Sequence, residues 1–402
     1  MSTNAAPVQH MPVQAEGSVA RLALLASIVI SFLAASAAPT PLYQHYDLVW
    51  HGTALTTTEA FGVYAFAVLA GLLILGELSN HVGRRPVLLT AIALQVVSVL
   101  LFATAGSFEP LFAGRILQGV AAGAALGTLG AAMIEAHREH GTVASSAAPG
   151  AGTGFGALAA GLTVSFLPWP THLIYVALVA VFAAQAVGVL LLIEANQTRP
   201  GLVASLRPTL SVPPAARSTF AAAAPALFAV WALAGLYGSL GPALVRQLSS
   251  NGSAALGGLA LFVLAGAASA TTVVRRQHEA RAQLTGGIVA LVAGVAVTLV
   301  AVGTHSLWVF LLGTLLAGIG FGSGLQGAVR GTVGLVTPEE RPGLLSAVYL
   351  VSYAGMGAPA VVAGFLVSRG LGLTEVTVGY GVALVALALV ALVQLVRTAP
   401  SR

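Results

Sequence analysis

Twelve runs of about twenty apolar residues follow one another along the chain, and they leave few folds open. They lie near residues 22–41, 58–79, 87–106, 110–134, 145–167, 172–193, 219–244, 254–274, 284–303, 307–330, 343–367 and 373–396. A helical run of about 20 apolar residues crosses the ~30 Å hydrocarbon layer of a bilayer. In lipid a crossing segment must satisfy its own backbone N–H and C=O groups, so each run is expected to be a helix. The alternating ten-residue pattern of a membrane barrel is absent. Only 7% of the 402 residues are charged and 57% are hydrophobic, against about 25% charged in a soluble domain. So few charges cannot cover a soluble surface, and the solvent of this chain is lipid. The run Leu22 to Ala38 ends in "AASAAP" and imitates a secretory signal. Arg21 alone is no basic leader, however, and eleven similar runs follow, so it reads as span 1.

Placement of the basic residues sets the orientation. All 17 are arginine, and the chain holds no lysine and no cysteine. Disulfides and thiolate metal sites are therefore excluded. With a cytoplasmic N-terminus, the inner loops and tails hold Arg21, Arg84, Arg85, Arg138, Arg199, Arg207, Arg217, Arg275, Arg276, Arg281, Arg330, Arg341, Arg397 and Arg402. The outer loops hold Arg246 and Arg369, and Arg115 lies within a span. Fourteen against two is a positive-inside pattern that puts both termini in the cytoplasm and requires an even number of spans. The basic excess is thus topological and does not point to nucleic acid. Arg and Ala have GC-rich codons, so the cytoplasmic (inner) membrane of a bacterium is the expected location.

The stretch Glu194 to Ser218 carries four prolines and three arginines and divides six spans from six. The expected organisation is a cytoplasmic tail over 1–20, a six-helix bundle over 21–194, a linker over 195–218, a second bundle over 219–397 and a tail over 398–402. The basic turn after span 2 has a counterpart after span 8, "VVRRQHEARAQ" from Val273 to Gln283. Matching charge positions in two halves suggest duplication, as in many transporter folds.

Three motifs carry a resemblance. The first is "GELSNHVGRRP", with Gly76, Glu77, Asn80, Gly83, Arg84 and Arg85 between spans 2 and 3. The second is "LFAGRILQG" in span 4, with Arg115, Gln118 and Gly119. The third is "GTGFGALAAG" in span 5, with Gly152, Gly156 and Gly161. Together with "TPLY" at Thr40 to Tyr43, they resemble the loop 2–3 signature, the span 4 R-x-x-Q-G and the span 5 glycine row of the major facilitator superfamily, over nearly the whole chain. The resemblance implies an all-α membrane protein of twelve transmembrane helices in two six-helix halves. The drug/proton antiporter-like branch is the nearest pattern, although Ala157 stands for its Pro and Ala160 for a Gly. In the family the loop 2–3 motif latches the halves in one conformation. Asn80 stands where Asp is usual, so the latch loses a negative charge unless Glu77 replaces it. Gly76 suits close approach of a helix, and Gly83 a turn of positive φ.

A charge in hydrocarbon costs roughly 2.5–3.5 kcal/mol on insertion scales, so each one is a functional candidate. Arg115 lies about 8 Å into span 4 at 1.5 Å per residue. It either snorkels to the outer surface or faces the central cavity beside Gln118, where the resemblance places it. Glu59, at the start of span 2, is either a solvated carboxylate favoured by the helix dipole or a proton-coupling group. Asp47, in the first outer loop, reads as solvated, and Glu135 as one of a cytoplasmic charge cluster. No acid lies deep in span 1. Tyr349, Ser352, Tyr353 and Met356 share one face of span 11. With Tyr43, Tyr64, Trp231, Tyr237 and Gln326 they are expected to line the cavity, with packing as the competing reading for each. Gly119, Gly123 and Gly127 in span 4, and Gly320, Gly324, Gly327 and Gly331 in span 10, let helix backbones come close. Pro39 and Pro41 bend the outer end of span 1.

These expectations add up to a secondary active transporter working by alternating access. The expected activity is proton-coupled export of a small amphipathic or hydrophobic compound. Uptake or facilitated diffusion of a small metabolite is the alternative, and a non-transporting membrane sensor a weaker one. The partners are a small-molecule substrate, the bilayer and protons, and the expected state is a monomer. No Walker loop is present, so ATP does not drive the cycle directly. The nine histidines lie mostly in loops and tails without metal spacing, so no cofactor, metal site or enzymatic activity is expected.

Overall fold

The computed structural model describes residues 15–193, 200–249 and 253–397. The end of the N-terminal tail, the linker stretch with Arg199 and the tail with Arg402 lie outside the described residues.

Among the described residues twelve long helices form the bundle: α1 (Ala15–Ala37), α2 (Ala54–Leu75), α3 (Arg84–Thr104), α4 (Phe108–Ala136), α5 (Arg138–Phe166), α6 (Leu173–Leu192), α7 (Arg217–Ser239), α8 (Ala254–Val274), α9 (Ala280–Thr304), α10 (Leu307–Val333), α11 (Arg341–Ser368) and α12 (Leu373–Arg397). Eleven are long and apolar enough to cross a membrane. The twelfth, α5, begins with the polar stretch "REHGT" and carries Pro149 and five glycines from Gly141 to Gly156, which lower its apolar content without interrupting the helix.

Helix ends follow local chemistry. Pro39 and Pro41 cannot donate, so α1 stops at Ala37 and the chain continues through a 3-10 turn, Thr40–Leu42, into a short helix, Tyr43–Trp50. That helix is stapled to α6 by Tyr46 and Tyr175, whose hydroxyls lie 3.0 Å apart. Thr53 and Thr56 form a reciprocal capping box at the start of α2, satisfying orphan N–H groups of the first turn. Between α4 and α5 only His137 leaves helical geometry, and its ring accepts a bond from the His140 backbone N–H at 3.2 Å.

Each half has its own apolar core. One draws on residues from Leu25 to Ile193, and the other mainly on residues from Ala223 to Leu395. A third cluster joins them, with Phe61, Tyr64 and Val68 of α2 packed with Tyr353, Met356 and Ala360 of α11. The glycine rows close helix pairs inside each half. A Cβ on Gly123 would press into the backbone of Leu72, Val68 and Gly71, and one on Gly127 would stand 3.3 Å from the Gly76 carbonyl. In the second half Gly320 and Gly327 meet Leu291 and Leu284 of α9 in the same way. These rows serve fixed packing within a half.

The arginine-rich turns gather at one end of the bundle. Arg330 donates to the carbonyls of Arg276 (2.7 Å) and His278 (3.1 Å), Arg281 to that of Leu395 (2.6 Å), and Arg217 to that of Val212 (3.1 Å). The Ser211 N–H reaches the Gly343 carbonyl at 3.3 Å, fastening the linker to α11.

Candidate functional site

The site is the seam between the halves, and its first element is the break in α1. At a helix C-terminus the last carbonyls lack partners. Arg115 of α4 supplies one, donating from Nη1 to the Ser36 carbonyl at 2.7 Å. The same nitrogen donates to Gln118 Oε1 at 2.8 Å. Nε donates to the Tyr43 hydroxyl at 3.0 Å, and Nη2 reaches it too. The guanidinium lies 5.4, 5.3 and 5.7 Å from the ring centroids of Tyr43, Tyr64 and Phe102, within cation–π range. Arg115 is 0% exposed and forms no ion pair with a described carboxylate. The negative end of the α1 dipole, orphan carbonyls and ring faces take the place of a counter-ion. Arg115 therefore neither snorkels to the surface nor presents its charge to an open cavity. It fixes the break in α1 against α4.

The loop 2–3 motif lies at the basic end. Gly83 has φ +92°, a conformation L side chains rarely adopt, and it starts α3. Arg84 makes a two-point ion pair with Glu135 in the last turn of α4. The carboxylate for this arginine thus comes from 51 residues downstream rather than from Glu77 or position 80. The Asn80 side chain is exposed. The Arg84 bond holds the Glu135 side chain outward from α4, and the pair lies within the first half.

Two seams join the halves. On one, α5 runs against α8: a Cβ on Gly150 would stand 2.9 Å from the Ala265 carbonyl, and one on Gly161 2.7 Å from that of Ala254, while Gly258 presses on Ala157. Ser165 and Ser253 share a bond of 3.1 Å at one end of this seam, and Ser269 donates to the Ala147 carbonyl at 2.5 Å toward the other. Gly152 and Gly156 point the other way, into Ile30 and Ala34 of α1. The expected span 5 row is therefore two rows, one within the half and one across the seam. On the second seam α2 meets α11. Gly62 packs on Val361 and Gly364 on Thr58, and the Leu55 N–H reaches Ser368 Oγ at 3.0 Å. The α1 break joins this end too, with Thr40 Oγ1 donating to the Gly238 carbonyl at 3.2 Å.

The basic end is held more loosely. A cleft of about 490 Å³ opens there, lined by Arg138, Glu139, Thr142, Val143, Arg276 and Gln277. One ion pair crosses it, Arg276 to Glu139 at 3.5 Å, with both side chains exposed.

Midway along the seam stand rings from both halves. Trp231 of α7 packs on Tyr353 of α11 (centroids 5.1 Å) and Phe321 of α10 (5.6 Å), and Tyr64 joins from α2. Tyr349 is half-buried beside them, and Ser352 is buried. Gln326 donates to the Thr272 carbonyl at 3.2 Å. Tyr237, expected on the cavity, is 2% exposed inside the second half, its hydroxyl bonded to Thr314 (2.9 Å) and Thr298 (3.4 Å). Polar partners on α9 and α10 draw it away from the seam. Glu59 is exposed on α2. Asp47, expected in solvent, is half-buried and accepts from Thr57 at 2.8 Å, because the segment after span 1 folds back as a helix. Phe321 against Trp231, the Phe155–Phe262 ring pair across the α5–α8 seam and the Glu139–Arg276 pair escaped the sequence reading; only the charged residues that follow spans 4 and 8 hinted at the last.

No curated protein matches this chain by sequence. Among solved structures, a variant of the nucleoside transporter NupG superposes with a TM-score of 0.71, at 12% identity, over 93% of this chain and 99% of that one. At such identity the likeness concerns the fold alone. The sequence itself matches the Major Facilitator Superfamily over residues 22–359, so the chain, with its two six-helix halves, belongs to that superfamily.

Proposed function

We propose that this protein is a secondary active transporter that exports a small amphipathic or hydrophobic compound in exchange for protons, by alternating access. The observation that carries the reading is the unequal closure of the two ends. One end is closed to its mouth by close contacts at Gly161, Gly238 and Gly364, whereas toward the basic end the Gly150 and Ser269 contacts lie deeper in the seam and one exposed ion pair beside an open cleft spans the mouth. By the positive-inside pattern the basic end is cytoplasmic, with both termini there, in the inner membrane of a bacterium. The wider mouth of the seam then faces the cytoplasm and the tighter one the outside. The span 5 glycines and the scarcity of charge along the seam support export of an amphipathic compound. The outer end carries Asp47, Glu59, Glu109 and Glu375, and of these Glu59 and Asp47 are the carboxylates proposed to carry protons. Uptake or facilitated diffusion of a small metabolite is the second reading, favoured by the absence of any acid within α1 after Glu16.

The test is purified protein in liposomes loaded with a pH-sensitive dye, under an imposed proton gradient. Compound-triggered proton flux that falls in Glu59→Gln or Asp47→Asn supports the exchange. Movement of labelled compound with no proton flux, unchanged in both variants, overturns coupling and leaves facilitated diffusion.

A further inference from the structure

The indole N–H of Trp231 is buried and has no hydrogen-bond partner. A buried tryptophan N–H ordinarily finds an acceptor, and leaving one unpaired is unfavourable. This donor stands midway along α7, where rings from both halves meet. The Trp231 ring is tilted 38° to Tyr353 and packs edge-on, at 60°, to Phe321. Ser352, one residue before Tyr353, has a buried hydroxyl that is likewise unpartnered. The surroundings of Trp231 thus offer ring faces, an unpaired N–H donor and an uncharged hydroxyl that can donate or accept.

Charge narrows what fits. The acids of the described spans stand within two turns of helix ends, as Glu59, Glu109, Glu135, Glu139 and Glu375 do, so no carboxylate lies beside the rings. The nearest cation, Arg115, sits over the Tyr64 ring at 5.3 Å. Its bonds go to Ser36, Tyr43 and Gln118, and it is fully enclosed. A cationic ligand would meet an N–H donor and a neighbouring guanidinium with no counter-charge. An anionic one would be desolvated without a free cation to pair with. An uncharged ligand avoids both penalties. Flat aromatic groups stack or pack edge-on against such rings, and a carbonyl-type oxygen would complete the Trp231 donor.

We propose that Trp231 is the specificity-determining donor for an uncharged, flat aromatic substrate that carries a carbonyl-type acceptor and packs against Trp231, Tyr353 and Phe321. This rests on the transporter reading above and names the chemical class that the seam selects.

Binding can be measured without any gradient. The chain has four tryptophans, so replacing Trp50, Trp169 and Trp308 by Phe leaves Trp231 as the sole tryptophan, excited selectively above the tyrosine band. Four probes share one bicyclic carbon skeleton: 2-naphthamide (neutral, flat and aromatic), 2-naphthoate (anionic), 2-naphthamidine (cationic) and decalin-2-carboxamide (neutral, puckered and saturated). 2-Naphthamide is expected to change Trp231 emission saturably, with each of the others at least about tenfold weaker. In the otherwise unaltered protein, Trp231→Phe keeps a ring and removes the donor. Equilibrium dialysis should then show 2-naphthamide binding about three- to tenfold weaker, with an unchanged size-exclusion profile. Should naphthamidine, naphthoate or the decalin amide bind as tightly, should Trp231→Phe bind as well as the parent, or should 2-naphthamide show no saturable binding, the proposal is wrong. Dialysis reads binding alone. Loss of proton exchange in liposomes with this pattern intact would therefore sink the coupling reading and not the site, and the converse pattern would sink the site alone.

Discussion

Arg276, in the turn after α8, lies 3.5 Å from Glu139 on the first turn of α5, and among the described residues this is the ion pair that crosses between the halves. Both partners are exposed, at 41% and 71%. Such a pair contributes about 0–1 kcal/mol, enough to bias two conformations that differ by little and too little to lock either. Glu139→Gln is therefore expected to leave unfolding stability unchanged within about 0.5 kcal/mol while shifting the conformational population up to about fivefold. The chain has no cysteine, so spin labels at Thr142→Cys and Gln277→Cys report this gap alone. A longer mean distance in Glu139→Gln, restored in Glu139→Arg/Arg276→Glu, is the expected result. Identical distance distributions in all three proteins would show that the pair does not bias the gate.

Arg115 calls for a different prediction because it is enclosed and satisfied by neutral groups. Arg115→Met removes a desolvated charge but strands the Ser36 carbonyl, the Tyr43 hydroxyl and the Gln118 amide oxygen. Stranded buried groups cost about 1–3 kcal/mol each, so a net loss of about 2–4 kcal/mol is expected. Arg115→Lys keeps the charge and loses the planar fork that reaches three partners at once; it should recover less than half of that loss. Combining Arg115→Met with Tyr43→Phe in a double-mutant cycle should give a coupling of about 0.5–3 kcal/mol. Unfolding in detergent checks all four proteins, and additive losses would mean that Arg115 and Tyr43 do not act together.

The spans, their number and the bend at Pro39 and Pro41 could be read from the sequence, because crossing lipid demands length and apolarity and proline removes a donor. The rotation of each helix could not. Lipid is as apolar as a protein core, so apolar periodicity does not separate a face turned to lipid from one turned to protein. That is why Tyr237 was expected on the cavity and is found bonded to Thr298 and Thr314, and why Gly152 and Gly154, two residues apart, serve different neighbours. The partner of Arg84 was equally hidden. Glu135 lies at the far end of α4 in sequence and meets Arg84 only because α4 packs along α2 and α3. Gly83 was legible because its turn requires positive φ, a property of one residue rather than of a fold.

That turn yields a paired prediction. Gly83→Ala places a Cβ at φ +92°, which costs about 1–3 kcal/mol. Arg84→Lys leaves the backbone alone and replaces a two-point contact with a single one, a loss of about 0.5–1 kcal/mol at this half-exposed pair. Asn80→Asp adds a charge on an exposed side chain, and a change within about 0.5 kcal/mol is expected. Unfolding midpoints should rank Gly83→Ala lowest and Asn80→Asp next to the parent. A midpoint for Asn80→Asp raised as far as Gly83→Ala is lowered would mean that position 80 carries an ion pair that Asn80 lacks.

The two glycine rows of α5 and their partners separate folding from transport. A side chain on Gly152 meets Ile30 of α1 inside the first half, and one on Gly258 meets Ala157 across the seam. Overpacking a close helix contact costs about 1–3 kcal/mol. At Gly152 the strain has no escape, because α1 and α5 share one core, so Gly152→Val should lower unfolding stability by about that amount. At Gly258 the halves can part and relieve the strain. Gly258→Val is therefore expected to lose less than about 1 kcal/mol of stability, since separation replaces overpacking. It should instead populate states in which the α5–α8 seam is wider, with transport in liposomes reduced severalfold. Spin labels at Ser165→Cys and Ser253→Cys, which are bonded at 3.1 Å in the parent, would read the widening. Equal destabilisation by both substitutions, with no change in that distance, would mean that the α5–α8 seam is as rigid as the interior of a half and does not open in the cycle.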